Sequence, residues 1–148
     1  MTKVGEHITL DIIGTTKEYD SSFFEKVIYD IAKAAKVTIL NISKYKFEPQ
    51  GFTILALLAE SHISFHTFPE KGIISFDFFT CGKINPSVAV EIIKKEFKHT
   101  RIVKKEFNRD TKSLYPDIYS SPGLQKSYVV NNFFKDRGII LFGSSYNI

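Results

Sequence analysis

Three segments decide the fold class of this 148-residue chain: Phe52-Thr53-Ile54-Leu55-Ala56-Leu57-Leu58, His62-Ile63-Ser64-Phe65-His66-Thr67 and Ile73-Ile74-Ser75-Phe76-Asp77-Phe78-Phe79. Each segment is short, rich in β-branched and aromatic residues and bounded by turn-forming residues, which is typical of β-strands. The first is apolar on both faces, so we predict that it is buried. The turn Pro69-Glu70-Lys71-Gly72 between the other two predicts a hairpin.

Two helices are predicted around these strands. Ser22-Phe23-Phe24-Glu25 has the pattern of a capping box and is followed by apolar residues at helical spacing, which predicts a helix from Ser22 to Lys36. Asn85-Pro86 predicts the start of the second helix, because asparagine caps helices and proline fits their first turn. Further strands are predicted over His7 to Gly14, Val37 to Ile42 and Thr100 to Phe107, with a loop over Lys44 to Gly51. This order predicts an α+β fold, a two-layer sandwich with helices packed on one face of a largely antiparallel sheet.

Length and composition narrow the class of protein. A chain of 148 residues, 43% hydrophobic and 14% aromatic, is expected to form a single globular domain over residues 1–148. Its formal charge is +4, and the basic residues between Lys94 and Lys105 are interpreted as a solvated face, not a nucleic-acid surface. Cys81 is the one cysteine, so an internal disulfide is excluded. With no apolar leader and no run of membrane-spanning length, we expect a cytoplasmic protein without membrane or nucleic-acid partners.

Four residues could carry chemistry, yet each alone has a plain structural explanation. Ser61 lacks the Gly-x-Ser-x-Gly elbow of many hydrolases. His62 and His66 are four residues apart, a spacing that aligns metal ligands on a helix but not on a strand, and no metal site is predicted. Cys81 taken alone is better explained as an inert buried thiol than as a reactive one.

Together these residues fall into a series of motifs. In order along the chain, the motifs are Gly5-x-His7, Phe47-x-Pro49-Gln50-Gly51, Glu60-Ser61-His62, His66-Thr67-x-Pro69-Glu70 and Phe79-Thr80-Cys81-Gly82. Over about residues 4 to 107 the chain resembles the bacterial and archaeal S-adenosylmethionine decarboxylases, pyruvoyl enzymes of polyamine biosynthesis. The resemblance implies a self-processing decarboxylase that converts S-adenosylmethionine to decarboxylated S-adenosylmethionine and carbon dioxide for spermidine biosynthesis.

The resemblance also implies how the catalytic group arises. Ser61 would attack the carbonyl before it, and elimination from the resulting ester would cut the chain between Glu60 and Ser61. Residues 1–60 would become the β chain and residues 61–148 the α chain, with Ser61 converted to a pyruvoyl group that forms a Schiff base with the substrate. No external cofactor is implied. His66 would transfer a proton during processing, and Cys81 would be the proton donor in decarboxylation.

Substrate binding and assembly are implied in the same way. Phe47 would stack on the adenine, Glu70 would accept hydrogen bonds from the ribose hydroxyls, and Thr53 would support the processing site. A homodimer of αβ units is implied, with residues of both protomers in each site. Residues 108–148 are longer than the corresponding stretch of the compact relatives and are predicted to form an extended C-terminal tail.

Two departures from the family pattern keep other functions open. Tyr45 stands where relatives often have histidine, and Phe68 replaces a commoner tryptophan. One alternative is a pyruvoyl-dependent arginine or ornithine decarboxylase on the same scaffold, and another is a catalytically silent partner of an active paralogue. The presence of Ser61, His66 and Cys81 disfavours the silent partner.

Ser61 and His66 would point to opposite faces of a regular strand, so we expect a sharp turn or a bulge at Ser61.

Overall fold

The structure, a computed structural model, describes residues 3–81 and 83–110, which lie in one compact unit, Met1–Thr111. In chain order the elements are β1 (Lys3–Ile13), α1 (Ser21–Ala35), β2 (Ile39–Lys46), β3 (Phe52–Leu58), β4 (Ser61–Phe68), a short 3-10 turn (Pro69–Lys71), β5 (Ile73–Cys81), α2 (Val88–Glu96) and β6 (Arg101–Asp110). Most of the predicted tail, from residue 111 onward, lies outside the described residues. The assignment of residues 1–148 to one domain stays a prediction.

The described strands form one antiparallel sheet in the order β2-β3-β4-β5-β1-β6. The predicted hairpin is present, since β4 and β5 pair from Ser61 opposite Thr80 to Phe68 opposite Ile73. Both helices contribute to one hydrophobic core with alternate residues of the sheet. The predicted α+β sandwich, with helices on one face of an antiparallel sheet, is therefore confirmed.

The hydrophobic core forms on the face of the sheet where buried side chains recur at every second position of a strand. On β5, Ile74, Phe76 and Phe78 are buried and alternate with half-buried residues, as the sequence predicts. Phe24 of α1, Phe65 of β4 and the buried Phe97 after α2 meet with ring centroids 5.4–5.8 Å apart. Burying one such side chain stabilises the fold by about 1.5–3 kcal/mol, so these rings hold both helices against this face.

The other face of the sheet has no covering layer within the described residues. Ile54 and Ala56 of β3 are fully buried against the helices, but Leu55 is 44% exposed and Leu57 is 51% exposed. Among residues 3–81 and 83–110, the prediction that β3 is buried on both faces is therefore wrong, because the helices of this part of the chain cover only one side. We call the uncovered side the open face. Its three central rows of paired residues are Leu57, His62, Phe79, His7 and Phe107; Leu55, Ser64, Asp77, Thr9 and Lys105; and Thr53, His66, Ser75, Asp11 and Val103.

The helix starts differ from the predictions. The N-cap of α1 is Asp20, not Ser22: the Phe23 amide donates to the Asp20 carboxylate at 2.8 Å, and the Ser22 hydroxyl donates to the same carboxylate. A carboxylate suits this position because it also interacts favourably with the positive end of the helix dipole. Asn85 accepts a hydrogen bond from the Ser87 amide, but α2 begins only at Val88.

Several strands run further than the sequence pattern indicates. β2 extends to Lys46, into the predicted loop, because its pairing with β3 continues to Lys46 opposite Phe52. Similarly, β1 begins at Lys3 and β6 ends at Asp110. Backbone hydrogen bonds to a neighbouring strand do not require apolar side chains, so local composition underestimates these lengths.

No helix of the described residues is long and apolar enough to cross a membrane.

Candidate active site

Ser61 opens β4 directly after a tight turn at Ala59 and Glu60. Its φ of 145° lies in a region that residues other than glycine rarely adopt. Thr38 anchors the turn from both sides: its carbonyl accepts from the Ala59 amide, and its amide donates to the Glu60 carboxylate, each at 2.9 Å. The expected sharp turn is thus present, with a strained backbone next to the peptide bond that is predicted to be cut.

The carbonyl oxygen of that peptide bond is held by β5. The Cys81 amide donates a hydrogen bond to the Glu60 carbonyl oxygen at 2.9 Å, and Thr80 pairs with Ser61. An amide aimed at a carbonyl oxygen stabilises the negative charge that develops there when a nucleophile adds. Cys81 itself is exposed, so its explanation as a buried thiol is wrong.

The Ser61 hydroxyl lies beside the imidazole of His62, to which the sequence motifs assign no role. Ser61 Oγ and His62 Nδ1 are 3.3 Å apart. His62 Nε2 is 2.8 Å from Asp77 Oδ1, and His7 Nε2 is 2.6 Å from Asp77 Oδ2. Asp77 belongs to none of the sequence motifs and was not predicted as a site residue. The available signal was the period of two, which places Asp77 on the same face of β5 as Phe79 and Ser75.

His66 does not lie beside Ser61 in the same chain. The two residues are five positions apart in one strand, a separation of about 17 Å at roughly 3.3 Å per residue. His66 Nδ1 is instead 2.9 Å from the hydroxyl of Thr53, its cross-strand partner on β3. The structure therefore brings Thr53 and His66 together on the open face and keeps both away from Ser61.

The predicted substrate contacts lie at the end of β4 where His66 lies. Phe47 follows β2, and its amide donates to the Gly51 carbonyl at 2.9 Å. Glu70 sits in the 3-10 turn that follows β4, and both side chains are exposed. A cavity of about 1090 Å³ opens at this end of the sheet; its lining includes the motif residues Gln50, Thr67 and Pro69 but neither Phe47 nor Glu70. Its size is slightly above the range of about 300–1,000 Å³ that is usual for small-molecule sites.

Within residues 3–81 and 83–110, no group of three or more histidine, cysteine, aspartate or glutamate side chains is placed to hold a metal ion. That the protein uses no metal stays a prediction.

Comparison with known proteins identifies the family. Residues 6–110 match the family described as S-adenosylmethionine decarboxylase. An S-adenosylmethionine decarboxylase proenzyme of Prochlorococcus marinus (strain MIT 9313) is 42% identical over 111 residues, which cover 73% of this chain and 89% of the relative. A proenzyme of the same name from Methanococcus maripaludis (strain C7) is 39% identical over 105 residues, covering 69% and 86%. The crystal structure of the adenosylmethionine decarboxylase from Aquifex aeolicus VF5 matches with a TM-score of 0.66 and 32% identity, over 74% of this chain and 92% of that one.

The fold and the relatives named above place the chain in the class of decarboxylase enzymes. Within this class, the chain belongs to the S-adenosylmethionine decarboxylase family. The family predicted from the motifs is thereby confirmed.

Proposed function

We propose that this chain is a self-processing S-adenosylmethionine decarboxylase that cuts itself between Glu60 and Ser61 and turns Ser61 into a pyruvoyl group. The observation that carries this proposal is the Glu60–Ser61 peptide, whose serine has a φ of 145° and whose carbonyl accepts from the Cys81 amide. Family membership supports the substrate, and relatives named as proenzymes support processing of the chain. The product, decarboxylated S-adenosylmethionine, is the aminopropyl donor for spermidine.

Processing begins with the chain's own groups. Ser61 Oγ adds to the Glu60 carbonyl carbon, and the Cys81 amide stabilises the charge on the carbonyl oxygen. The peptide C–N bond then breaks, which leaves Glu60 esterified to the serine oxygen and a free α-amine on Ser61. Release of backbone strain at Ser61 favours this shift. Removal of the Ser61 Cα proton expels the Glu60 carboxylate, and the dehydroalanine that remains takes up water and loses ammonia.

The residues beside Ser61 suit the decarboxylation that follows. Once formed, the pyruvoyl group supplies an electron sink for the electrons that the departing carboxylate leaves behind. Cys81 is exposed at the end of β5, and its amide is already bonded to the residue before Ser61. We therefore assign its thiol to protonation of the substrate α-carbon. Phe47 and Glu70, both exposed, are assigned to the adenine and the ribose hydroxyls.

The distribution of these residues supports a homodimer. Ser61 and Cys81 lie at one end of β4, whereas Thr53 and His66 lie at the other, about 17 Å away along a regular strand. A second copy that packs open face to open face, about a two-fold axis perpendicular to β4, would bring its own Thr53 and His66 over Ser61. The exposed leucines of β3 lie between the two groups and would be buried by such a contact.

The comparisons favour S-adenosylmethionine over the other substrates. The family and the relatives carry the name of that enzyme, and they give no support to an arginine or ornithine decarboxylase or to a silent partner.

Processing can be tested on a denaturing gel with mass spectrometry. The wild-type chain of 16.9 kDa should yield residues 1–60 and a second fragment, residues 61–148, that carries a pyruvoyl group at its start. Ser61→Ala should stay intact because no oxygen remains to attack. The matched control is Ser64→Ala in the same strand, which should be cut like the wild type. A wild-type chain that stays intact after prolonged incubation would contradict the proposal.

The substrate is tested separately by release of carbon dioxide from carboxyl-labelled S-adenosylmethionine, arginine and ornithine. We expect turnover of S-adenosylmethionine only. Turnover of arginine or ornithine without turnover of S-adenosylmethionine would overturn the substrate assignment and leave the processing chemistry intact.

A further inference from the structure

We infer that His62 is the base that activates the Ser61 hydroxyl for the first step of processing, and that Asp77 and His7 position it. This inference rests on the proposed function, because it concerns the cleavage at Glu60–Ser61. The four residues form a continuous series of contacts, from Ser61 Oγ to His62 Nδ1, from His62 Nε2 to Asp77, and from Asp77 to His7 Nε2.

The pairing register of the sheet places these residues next to one another. His62, Phe79 and His7 are direct neighbours in one cross-strand row of the open face. Asp77 lies in the adjacent row, two residues before Phe79 on β5, so its carboxylate reaches diagonally to an imidazole on either side. Rings pack around it: the Phe79 ring centroid is 6.0 Å from that of His62 and 5.7 Å from that of His7. This packing restricts rotation of both imidazoles.

The carboxylate selects the tautomer of His62 that a base requires. A carboxylate only accepts hydrogen bonds, so His62 Nε2 must carry the proton that it donates to Asp77. In the neutral ring, Nδ1 is then left with a lone pair, and this lone pair faces the Ser61 hydroxyl at 3.3 Å. The logic is that of a serine, histidine and aspartate triad with the two ring nitrogens exchanged.

The partly buried setting strengthens these contacts. The exposed fractions of the side chains are 39% for His62, 28% for Asp77 and 21% for His7. Charges shielded in this way interact more strongly than in bulk water. The imidazolium that forms on His62 would therefore be stabilised by the carboxylate behind it, while His7 holds the second carboxylate oxygen.

The proton that moves in this step passes from Ser61 to His62 and back to Ser61. The Ser61 hydroxyl proton passes to His62 Nδ1 as the new C–O bond forms to the Glu60 carbonyl carbon. When the C–N bond breaks, the imidazolium returns that proton to the leaving amide nitrogen of Ser61. His62 thus ends neutral, and no further reactant is consumed.

The test follows processing of freshly made chains. Wild type, His62→Ala and Asp77→Asn would be synthesised with a radioactive pulse in a cell-free system and chased on a denaturing gel, with and without hydroxylamine, which cleaves esters but not amides. General base catalysis contributes about 10²–10⁴-fold, so we expect His62→Ala to slow processing at least about 100-fold. It should show no hydroxylamine-sensitive ester, and added imidazole should accelerate it.

Asp77→Asn tests the positioning role at nearly constant shape. An amide can donate to His62 Nε2 and thereby move the ring proton to Nδ1, so we expect slow processing with an unchanged melting temperature. His99→Ala is the matched histidine control. His99 Nδ1 lies 2.7 Å from the Phe97 carbonyl oxygen, and the variant should process at the wild-type rate.

The possible results separate this inference from the proposed function. Processing of His62→Ala at the wild-type rate, or accumulation of an ester in that variant, would overturn the role of His62 while leaving the cleavage site intact. If His62→Ala does not fold, Asp77→Asn decides, and wild-type processing in that variant would overturn the series of contacts. An uncut wild-type chain would overturn the proposed function and this inference with it.

Discussion

A site shared between two protomers predicts that two inactive variants restore each other. Ser61→Ala removes the attacking oxygen, and His66→Ala removes the imidazole at the other end of β4, which the family resemblance implies takes part in processing. Five strand positions, about 17 Å, separate the two residues in one chain. An imidazole is a few ångströms across, so His66 cannot reach the serine of its own chain.

The expected yield follows from random pairing of co-expressed chains. Equal amounts of the two variants give about half mixed dimers in a two-fold assembly, and each mixed dimer contains one complete site. In that site, Ser61 comes from the His66→Ala chain and His66 comes from the Ser61→Ala chain. About half of the His66→Ala chains should therefore be cut, and none of the Ser61→Ala chains.

Different affinity tags on the two variants make the assay specific, because a gel then shows which chain has been cut. The control pairs His66→Ala with the double variant Ser61→Ala, His66→Ala, which should restore nothing. Absence of cutting in mixed dimers that have been isolated through both tags would refute the shared site. Normal processing of His66→Ala alone would refute the role of His66.

Three further predictions concern single residues. Cys81→Ala should still be cut but should release carbon dioxide slowly from S-adenosylmethionine, and normal turnover in this variant would remove the thiol from the mechanism. Phe65→Ala should lower the free energy of unfolding by about 3–5 kcal/mol in a denaturant titration, because the ring is fully buried against three other phenylalanines, whereas the exposed control Tyr29→Ala should change it by less than about 0.5 kcal/mol. The hydrogen bond from the Phe23 amide, followed by that from a neighbouring hydroxyl, holds the pKa of Asp20 below its usual value. A carboxyl whose pKa is lower in the folded state stabilises the fold above its unfolded pKa and loses this effect as the pH falls through the folded pKa. Asp20→Ala should thus lower the melting temperature at neutral pH and not in strong acid; an equal difference at both would contradict the cap.

Much of the fold could be predicted from short-range patterns. The alternation of Ile74, Phe76 and Phe78, the helical spacing that begins at Phe24 and the turn at Pro69 all depend on neighbours in sequence. The helix cap was misplaced at Ser22 because Asp20 and Ser22 are both good caps, and only the hydrogen bond to Phe23 distinguishes them.

The sequence by itself determined the α+β class, the family and the turn that strains Ser61, because propensity, periodicity and motif spacing are local properties. Tertiary structure alone decided the rest. Asp77 and His7 are 70 positions apart and meet only because β1 inserts beside β5. Likewise, both faces of β3 are apolar in the sequence, yet within the part of the chain that the structure describes, helices cover only one of them. The order of the strands and the covered face of the sheet depend on how distant segments pack together. That packing places His62 beside Asp77 and keeps His66 away from Ser61.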